Sequence, residues 1–224
     1  MSPPAGVWHV HHCAPLFFPS PHLPARCPAC GKPLPTSPPR EVPSPFRRAA
    51  DQPRSVLIRP TEGDFLLNYT GGGDLHAGVT DSGGGVVAFD RAGLRRVPTA
   101  DWPQCIVIPL PASDAPAEAA AARWDHALDR LLTADAGRPL TTDEADRNCF
   151  SFVLAFLAAL GLPGVAAGGL TREAFAREHV VPVSGRAAKY LTLYRRVRRL
   201  GWYAIGEEGR SRVQGAVSGG EDGR

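Results

Sequence analysis

Short apolar runs separated by turn-forming residues lie between residues 55 and 110 and predict β-strands. SVLIRP (55–60) has strand length and ends at a proline. DLHAGVT (74–80) and GVVAFD (85–90) are joined by the glycine-rich stretch DSGGG, which suits a hairpin turn. QCIVIPL (104–110) is a further apolar run of strand length. This part of the chain therefore predicts a small sheet.

Helical periodicity replaces these runs after residue 113. The stretch DAPAE (114–118) has the residues of a helix start, and Trp124, Leu128 and Leu131 follow on one stripe. The most apolar stretch of the chain begins at Cys149 and predicts a second helix that stops at GLP (161–163). Strands followed by helices indicate an α+β domain in which a mostly antiparallel sheet packs on helices.

Two more helices are predicted near the end. A short one covers 171–177, with Thr171 as its N-cap. The last covers 186–201 and places four apolar or aromatic residues on one face: Tyr190, Leu193, Tyr194 and Val197. Four arginines lie elsewhere on this helix: Arg195, Arg196, Arg198 and Arg199. We interpret them as a solvated outer face, and contact with phosphates or an acidic partner is the alternative.

Proline and glycine divide the chain. Fifteen of the 23 prolines lie in the first 60 residues. We predict a cysteine-containing amino-terminal segment over 1–31, a proline-rich linker over 32–53, the α+β domain over 54–204, and a disordered tail over 205–224.

Composition excludes several classes of function. The net charge of +3 on 224 residues predicts no nucleic-acid binding without a clustered basic patch. The apolar run 149–167 is interrupted by glycine and proline, so we expect no membrane span. Five cysteines cannot form a full disulfide framework, which favours a cytoplasmic or nuclear location. We find no phosphate-binding loop or nucleotide fingerprint.

The amino-terminal cysteines have metal-ligand spacing. HHC (11–13) precedes CPAC (27–30), and a CPxCG turn is typical of a zinc knuckle. The predicted ligands of a structural zinc ion are His12, Cys13, Cys27 and Cys30, with His11 or, less favoured, His22 as the alternative histidine. Reduced surface thiols are the alternative to a metal site. Zinc would order a segment that has little apolar mass of its own.

Cys149 is the second candidate for chemistry. A helix N-terminus stabilises a thiolate, and Arg147 adds positive charge nearby. His76 lies on a predicted strand and is the best candidate for a base, because His126 belongs to a surface and His179 to a helix end. The alternative is that Cys149 is a buried, inert thiol, like Cys105 in its apolar run.

The order of these residues resembles a known group of folds. A histidine in an H-A-G-V setting, followed about seventy residues later by N-C at the start of an apolar helix, resembles the circularly permuted papain-like families. These include the PPPDE thiol peptidases and the lecithin retinol acyltransferase-like enzymes. Asn148, Cys149 and Phe152 match the family's N-C-x-x-F pattern, and a third polar catalytic residue cannot be assigned. The resemblance implies an NlpC/P60-type core, a Cys149/His76 dyad, and an oxyanion or orienting role for Asn148.

A second resemblance covers more of the chain. It rests on five segments in the same order: RPTEGDFLLNY (59–69), DLHAGVT (74–80), NCFSFVLAFL (148–157), HVVP (179–182) and KYLTLYRRVR (189–198). These segments resemble the makorin-2 opposite strand protein family. The resemblance does not by itself indicate an activity.

The sequence therefore leaves two functions open. The first is a non-catalytic or weakly active protein-interaction module on a thiol-hydrolase-like fold, with an unidentified protein partner. The alternative is a cysteine hydrolase or acyltransferase in which Cys149 and His76 act on an amide, thioester or ester bond.

Overall fold

The computed structural model describes residues 6–110, 115–136, 148–161 and 171–205. Its strands, numbered along the chain, are β1 (Val7–His11), β2 (Pro15–Phe18), β3 (Arg40–Val42), β4 (Phe46–Arg47), β5 (Val56–Pro60), β6 (Leu75–Thr80), β7 (Val86–Asp90), β8 (Gly93–Val97), β9 (Cys105–Ile108) and β10 (Tyr203–Ala204). Its α-helices are α1 (Ala117–Asp135), α2 (Cys149–Ala159), α3 (Arg172–Phe175) and α4 (Val181–Leu200). A π-helical segment, Ala176–Val180, joins α3 to α4.

The chain forms two compact units. The smaller unit consists of Met1–Ser44 and Tyr190–Arg224, and the larger unit is Pro45–Lys189. The predicted α+β class with antiparallel sheets is confirmed, because every strand pairing in both sheets is antiparallel.

The larger unit is built on a six-stranded sheet with the order β4-β9-β5-β6-β7-β8. Its central strands are rich in valine and isoleucine, which suit a pleated surface buried on both faces. The predicted hairpin joins β6 to β7, and its turn depends on Asp81. The Asp81 Oδ1 accepts hydrogen bonds from the amides of Gly83 at 3.0 Å and Gly85 at 2.7 Å. Gly84 adopts a φ of +85°, which a glycine accommodates without a steric cost.

Different parts of the chain pack on the two faces of this sheet. On one face, Trp102 packs with Leu57 and Ala88 in a buried cluster. Gly78 belongs to this face, since a Cβ atom there would lie 2.6 Å from the Trp102 ring. Helix α2 also contacts β6 and β7. Because Trp102 occupies the Gly78 side of β6, we infer that α2 packs on the opposite side.

Helices α1 and α2 meet through aromatic side chains. The rings of Trp124 and Phe156 are 4.8 Å apart and nearly perpendicular, a favourable edge-to-face geometry. The Trp124 indole N–H donates a 2.7 Å hydrogen bond to the carbonyl of Thr80 at the end of β6. This bond satisfies a buried polar group and ties α1 to the sheet.

The smaller unit contains a four-stranded sheet with the order β10-β2-β1-β3. Leu16 and Phe18 of β2 form a buried cluster with Cys27 and Ala204. The segment 32–53, predicted to be a linker, therefore departs from the expectation. It contains β3, which pairs with β1, and β4, which pairs with β9. Short edge strands tolerate this proline content because few of their N–H groups need a partner.

The bounds of the elements differ from the predictions in three further places. Strands β1, β2, β8 and β10 were not predicted, because β1 and β8 are interrupted by polar residues and because β2 and β10 are only four and two residues long. Helix α4 begins five residues before the predicted start, and the larger unit ends at Lys189 rather than at 204. Of the predicted tail, 206–224 lies outside the described residues. Arg147 and the stretches 111–114 and 162–170 also lie outside them. None of the described helices is long and apolar enough to cross a membrane.

Candidate metal centre and thiol site

The predicted zinc ligands of the smaller unit lie close together. Ligand atoms of His12, Cys27 and Cys30 are all within 4.8 Å of one another. The sulfurs of Cys13 and Cys27 are 3.7 Å apart. Two thiolates bound at about 2.3 Å to one tetrahedral zinc ion lie about 3.8 Å apart, so this spacing fits a shared metal.

The chain between Cys27 and Lys32 folds as a tight knuckle. The amide of Cys27 donates to the Lys32 carbonyl at 2.7 Å, and the amide of Gly31 donates to the Cys27 carbonyl at 2.8 Å. Gly31 adopts a φ of +74°, where other residues are strained. The knuckle thereby places Cys27 and Cys30 on the same side of the turn.

The thiols of this cluster influence one another. A hydrogen bond from the Lys32 backbone is the largest contribution that lowers the pKa of Cys30. The pKa of Cys13 is raised to about 11, first by desolvation and then by hydrogen bonding with Cys30 and Cys27. These interactions place all three sulfurs in one group.

His12 is the histidine that the structure brings to the cysteines. Its Nε2 is buried and has no hydrogen-bond partner. A buried ring nitrogen without a partner is costly, and coordination to a metal would satisfy it. His11 is exposed at the end of β1 and His22 is also exposed, and neither belongs to the group. The choice between the adjacent histidines, which the sequence left open, favours His12.

Cys149 in the larger unit is the first residue of α2, as predicted. Its thiol has backbone partners: the amides of Ala77, Phe150 and Cys149 itself lower its pKa, and so does the charge of Arg172. Burial is the largest contribution, however, and it raises the pKa above the ordinary value. Desolvation thus outweighs the helix N-terminus, and the thiol is neutral at physiological pH.

His76 has a different set of neighbours. Its ring lies 5.5 Å from the ring of Trp102, and the guanidinium of Arg59 is 5.5 Å from that ring. Burial is the largest cause of its lowered pKa, and the charge of Arg59 acts in the same direction. The carboxylate of Asp90 opposes both effects. His76 is therefore a neutral imidazole at pH 7.

The predicted dyad does not share one side of β6. His76 belongs to this strand, and Cys149 contacts the strand from α2. Cys149 lies beside the backbone of Ala77, one residue from His76. His76 shares a contact with Trp102, whose cluster covers the Gly78 face of β6. Among the described residues, the contacts of Cys149 and of His76 include no hydrogen bond from the thiol to the imidazole. The site brings the backbones together but does not pair the side chains.

Asn148 is the N-cap of α2. Its Oδ1 accepts hydrogen bonds from the amides of Phe150 at 2.9 Å and Ser151 at 3.1 Å. The Ser151 hydroxyl accepts in return from the Asn148 amide at 2.8 Å, which completes a capping box. The side-chain oxygen of Asn148 therefore already accepts two hydrogen bonds from amides at the start of α2.

The two other candidate bases, His126 and His179, lie away from Cys149 in the sequence and have different surroundings. His126 is exposed on α1, and His179 lies 5.3 Å from the ring of Phe175. Sequence reasoning missed the groups that set the chemistry of His76, namely Arg59, Asp90 and Trp102. These three residues lie near His76 because β5, β7 and the segment before β9 come together in the fold. No local sequence pattern predicts that arrangement.

The fold and the site define an α+β protein with two antiparallel sheets and a cysteine–histidine cluster, and comparison places it in a family. Residues 39–197 match the family model described as DUF4796 C-terminal. The chain is 32% identical over 199 residues to the MKRN2 opposite strand protein of Homo sapiens, an alignment that covers 86% of each protein. The chain therefore belongs to the DUF4796 C-terminal family, and the predicted kinship with the makorin-2 opposite strand family is confirmed. Neither description specifies a catalytic activity. No solved structure matches the chain.

Proposed function

We propose that this protein is a non-catalytic interaction module whose smaller unit is ordered by one structural zinc ion. The observation that carries the proposal is the group formed by His12, Cys13, Cys27 and Cys30, with the buried His12 Nε2 lacking any other partner. A set of three cysteines and one histidine leaves no open coordination position, so the zinc has a structural role.

The packing around the knuckle supports this assignment. Cys27 is 1% exposed and belongs to the same cluster as Leu16 and Phe18 of the four-stranded sheet. A metal at this position would join the knuckle to the sheet, and the energy of metal binding would contribute directly to folding. The four side chains would hold the ion, and the bound ion would supply cross-linking rather than reactivity.

The environment of Cys149 supports a non-catalytic role for the larger unit. A nucleophilic cysteine needs a thiolate or an adjacent base. Burial raises the pKa of Cys149, while burial and Arg59 lower the pKa of His76. Both shifts favour the neutral pair over the thiolate–imidazolium pair that a cysteine hydrolase uses.

Alkylation of Cys149 tests this part of the proposal. We expect iodoacetamide to modify Cys149 in the intact, metal-loaded protein more slowly than a free cysteine at neutral pH, with the rate rising through alkaline pH as thiolate forms. His76→Phe keeps a ring against Trp102 and should leave the profile unchanged. Site-resolved mass spectrometry separates Cys149 from the other thiols. A rate plateau at neutral pH that His76→Phe abolishes would contradict the proposal.

A second function has one specific observation in its favour. The sulfur of Cys149 lies at the start of α2, beside the strand residue that follows His76. This is the order expected of the circularly permuted papain-like fold, and Asp90 is a carboxylate close enough to act on the titration of His76. In this alternative, the His76 ring would turn toward Cys149 and take the thiol proton, and the sulfur would attack an amide, thioester or ester carbonyl. His76 would return the proton to the departing amine, thiol or alcohol as the acyl group stays on the sulfur, and Asp90 would orient the ring.

The same measurement separates the two functions. The alternative requires a low-pKa thiol that depends on His76, and it requires Cys149→Ser to abolish labelling by an electrophilic acyl probe at neutral pH. Cys105 serves as the internal reference, because burial raises the pKa of this thiol to about 12. Slow, His76-independent labelling of Cys149 would exclude the enzyme and support the interaction module.

A further inference from the structure

We propose that the smaller unit binds single-stranded nucleic acid on the face of its sheet that carries His9, Phe17 and Tyr203. The inference rests on the proposed interaction function and names the chemical class of its partner. The net charge of +3 predicted no nucleic-acid binding, but this value sums the charges of both units, and the two units differ in charge.

Three aromatic rings cross adjacent strands on this face. Phe17 of β2 is paired with His9 of β1 and with Tyr203 of β10. The His9 and Phe17 rings are 5.0 Å apart, and the Phe17 and Tyr203 rings are 6.4 Å apart with an angle of 27° between their planes. All three side chains are half-buried, so each ring retains surface that faces solvent. We call these three residues the aromatic row.

The row lies on the side of the sheet opposite the knuckle. Successive side chains alternate across a strand, and Leu16 and Phe18, which flank Phe17, pack with Cys27. The metal cluster and the aromatic row therefore occupy different faces of the same sheet. A ligand on the row would not contact the metal-binding residues.

Positive charge surrounds the row. The described part of the smaller unit has seven lysines and arginines but a single acidic residue, Glu41. Arg40 is the strand partner of His9, and Arg196 stacks over Tyr203 at 4.6 Å while donating a 3.0 Å hydrogen bond to its hydroxyl. Arg198 and Arg199 are exposed further along α4. This charge complements phosphates rather than a neutral or basic surface.

The combination of rings and arginines favours an anionic partner that also has exposed aromatic bases. Unpaired bases stack on aromatic side chains whatever their sequence, and flanking arginines follow the phosphate backbone. An acidic peptide would use the arginines but would gain little from a row of three rings. A duplex conceals the base faces that the row would contact. Single-stranded RNA or DNA uses both features.

Fluorescence anisotropy on the full, metal-loaded chain tests the proposal, with a labelled oligouridylate of about twelve nucleotides as the probe. We expect saturable binding that weakens as salt is raised, with a log–log slope of about 0.7 for each phosphate contacted. Phe17→Ala should weaken binding by about 5-fold to 100-fold, while Phe17→Tyr should retain it. Arg40→Glu should weaken binding, and the same charge change at Arg48, exposed in the larger unit, should have little effect.

Three results would overturn the proposal. One is the absence of saturable binding to oligouridylate and oligothymidylate by protein whose circular dichroism is native. Another is equal affinity for a duplex of the same length, with no response to Phe17→Ala. The third is tighter binding to an oligoglutamate peptide, which would identify an acidic protein surface as the partner. A protein that holds zinc and has an inert Cys149 but fails these assays would retain the proposed function and lose only this inference.

Discussion

Gly78 and Trp102 show how closely single residues are fitted in the larger unit. A methyl group on Gly78 would lie 2.6 Å from the Trp102 ring, and Trp102 is itself 2% exposed. We expect Gly78→Ala to lower the free energy of unfolding by about 1–3 kcal/mol, because the buried indole has no space into which it can move. Chemical denaturation measures the change.

Gly72→Ala is the matched control for Gly78. Nothing lies within 4 Å of a Cβ atom at Gly72, and its backbone is outside the left-handed region. We expect this variant to be as stable as the wild type. Equal losses for the two substitutions would contradict the packing described for Trp102.

His76 predicts a pH dependence of stability. Burial and Arg59 lower its pKa in the folded protein, so the unfolded chain binds a proton more readily. Stability is therefore unaffected above the unfolded pKa of about 6.5 and falls as pH decreases from there to the folded pKa. We expect His76→Phe to reduce this acid-side loss while keeping the contact with Trp102. Urea unfolding at several pH values measures it, and parallel profiles for wild type and variant would count against the assignment.

Residue types and spacing predict ligand sets better than reactivity. The cluster of His12, Cys27 and Cys30 was predicted from the spacing HHC and CPAC, since the knuckle is a local structure. The choice of His12 over His11 depended on which ring is buried. The state of Cys149 depended on burial, which follows from the packing of α2 against strands distant in the sequence.

At the scale of the element, the capping box fixes the start of α2. Asn148→Ala would leave the amides of Phe150 and Ser151 without their acceptor. We expect a loss of about 1 kcal/mol in the free energy of unfolding. Asn148→Asp retains an acceptor and should be close to neutral, as thermal or chemical unfolding would show. A loss of the same size for Asp and Ala would mean that the amide nitrogen of Asn148, rather than its oxygen, matters.

The elements with strong local patterns were predicted and those defined by pairing were not. Strands β5, β6, β7 and β9 are apolar, and helices α1 and α2 have clear start signals, so their positions follow from the sequence. Strand β8 contains two adjacent arginines, and its Leu94 amide is held by the Asp135 carboxylate at 3.0 Å. Such a strand is stabilised by its neighbour β7 and by α1, and no window of its own sequence predicts it.

On the scale of the whole molecule, an early segment and a late segment of the chain form one compact unit. Strand β10 pairs with β2, so residues near 203 complete a sheet that begins at Val7. The sequence predicted a separate zinc segment, a linker and a single domain, because changes in proline and glycine content mark segments along the chain, whereas pairing between distant segments leaves no local trace. The uneven charge of the smaller unit became visible only once its two segments were known to belong together.

The zinc content of the intact protein tests the central claim most directly. Native mass spectrometry of the full chain, purified without added metal, should find one zinc ion for each chain. Cys27→Ser should lose this ion and the order of the smaller unit, whereas Cys105→Ser, at a buried thiol of the larger unit, should keep the ion. A wild-type protein that carries no zinc and takes none up on titration, yet has a folded smaller unit, would contradict the account.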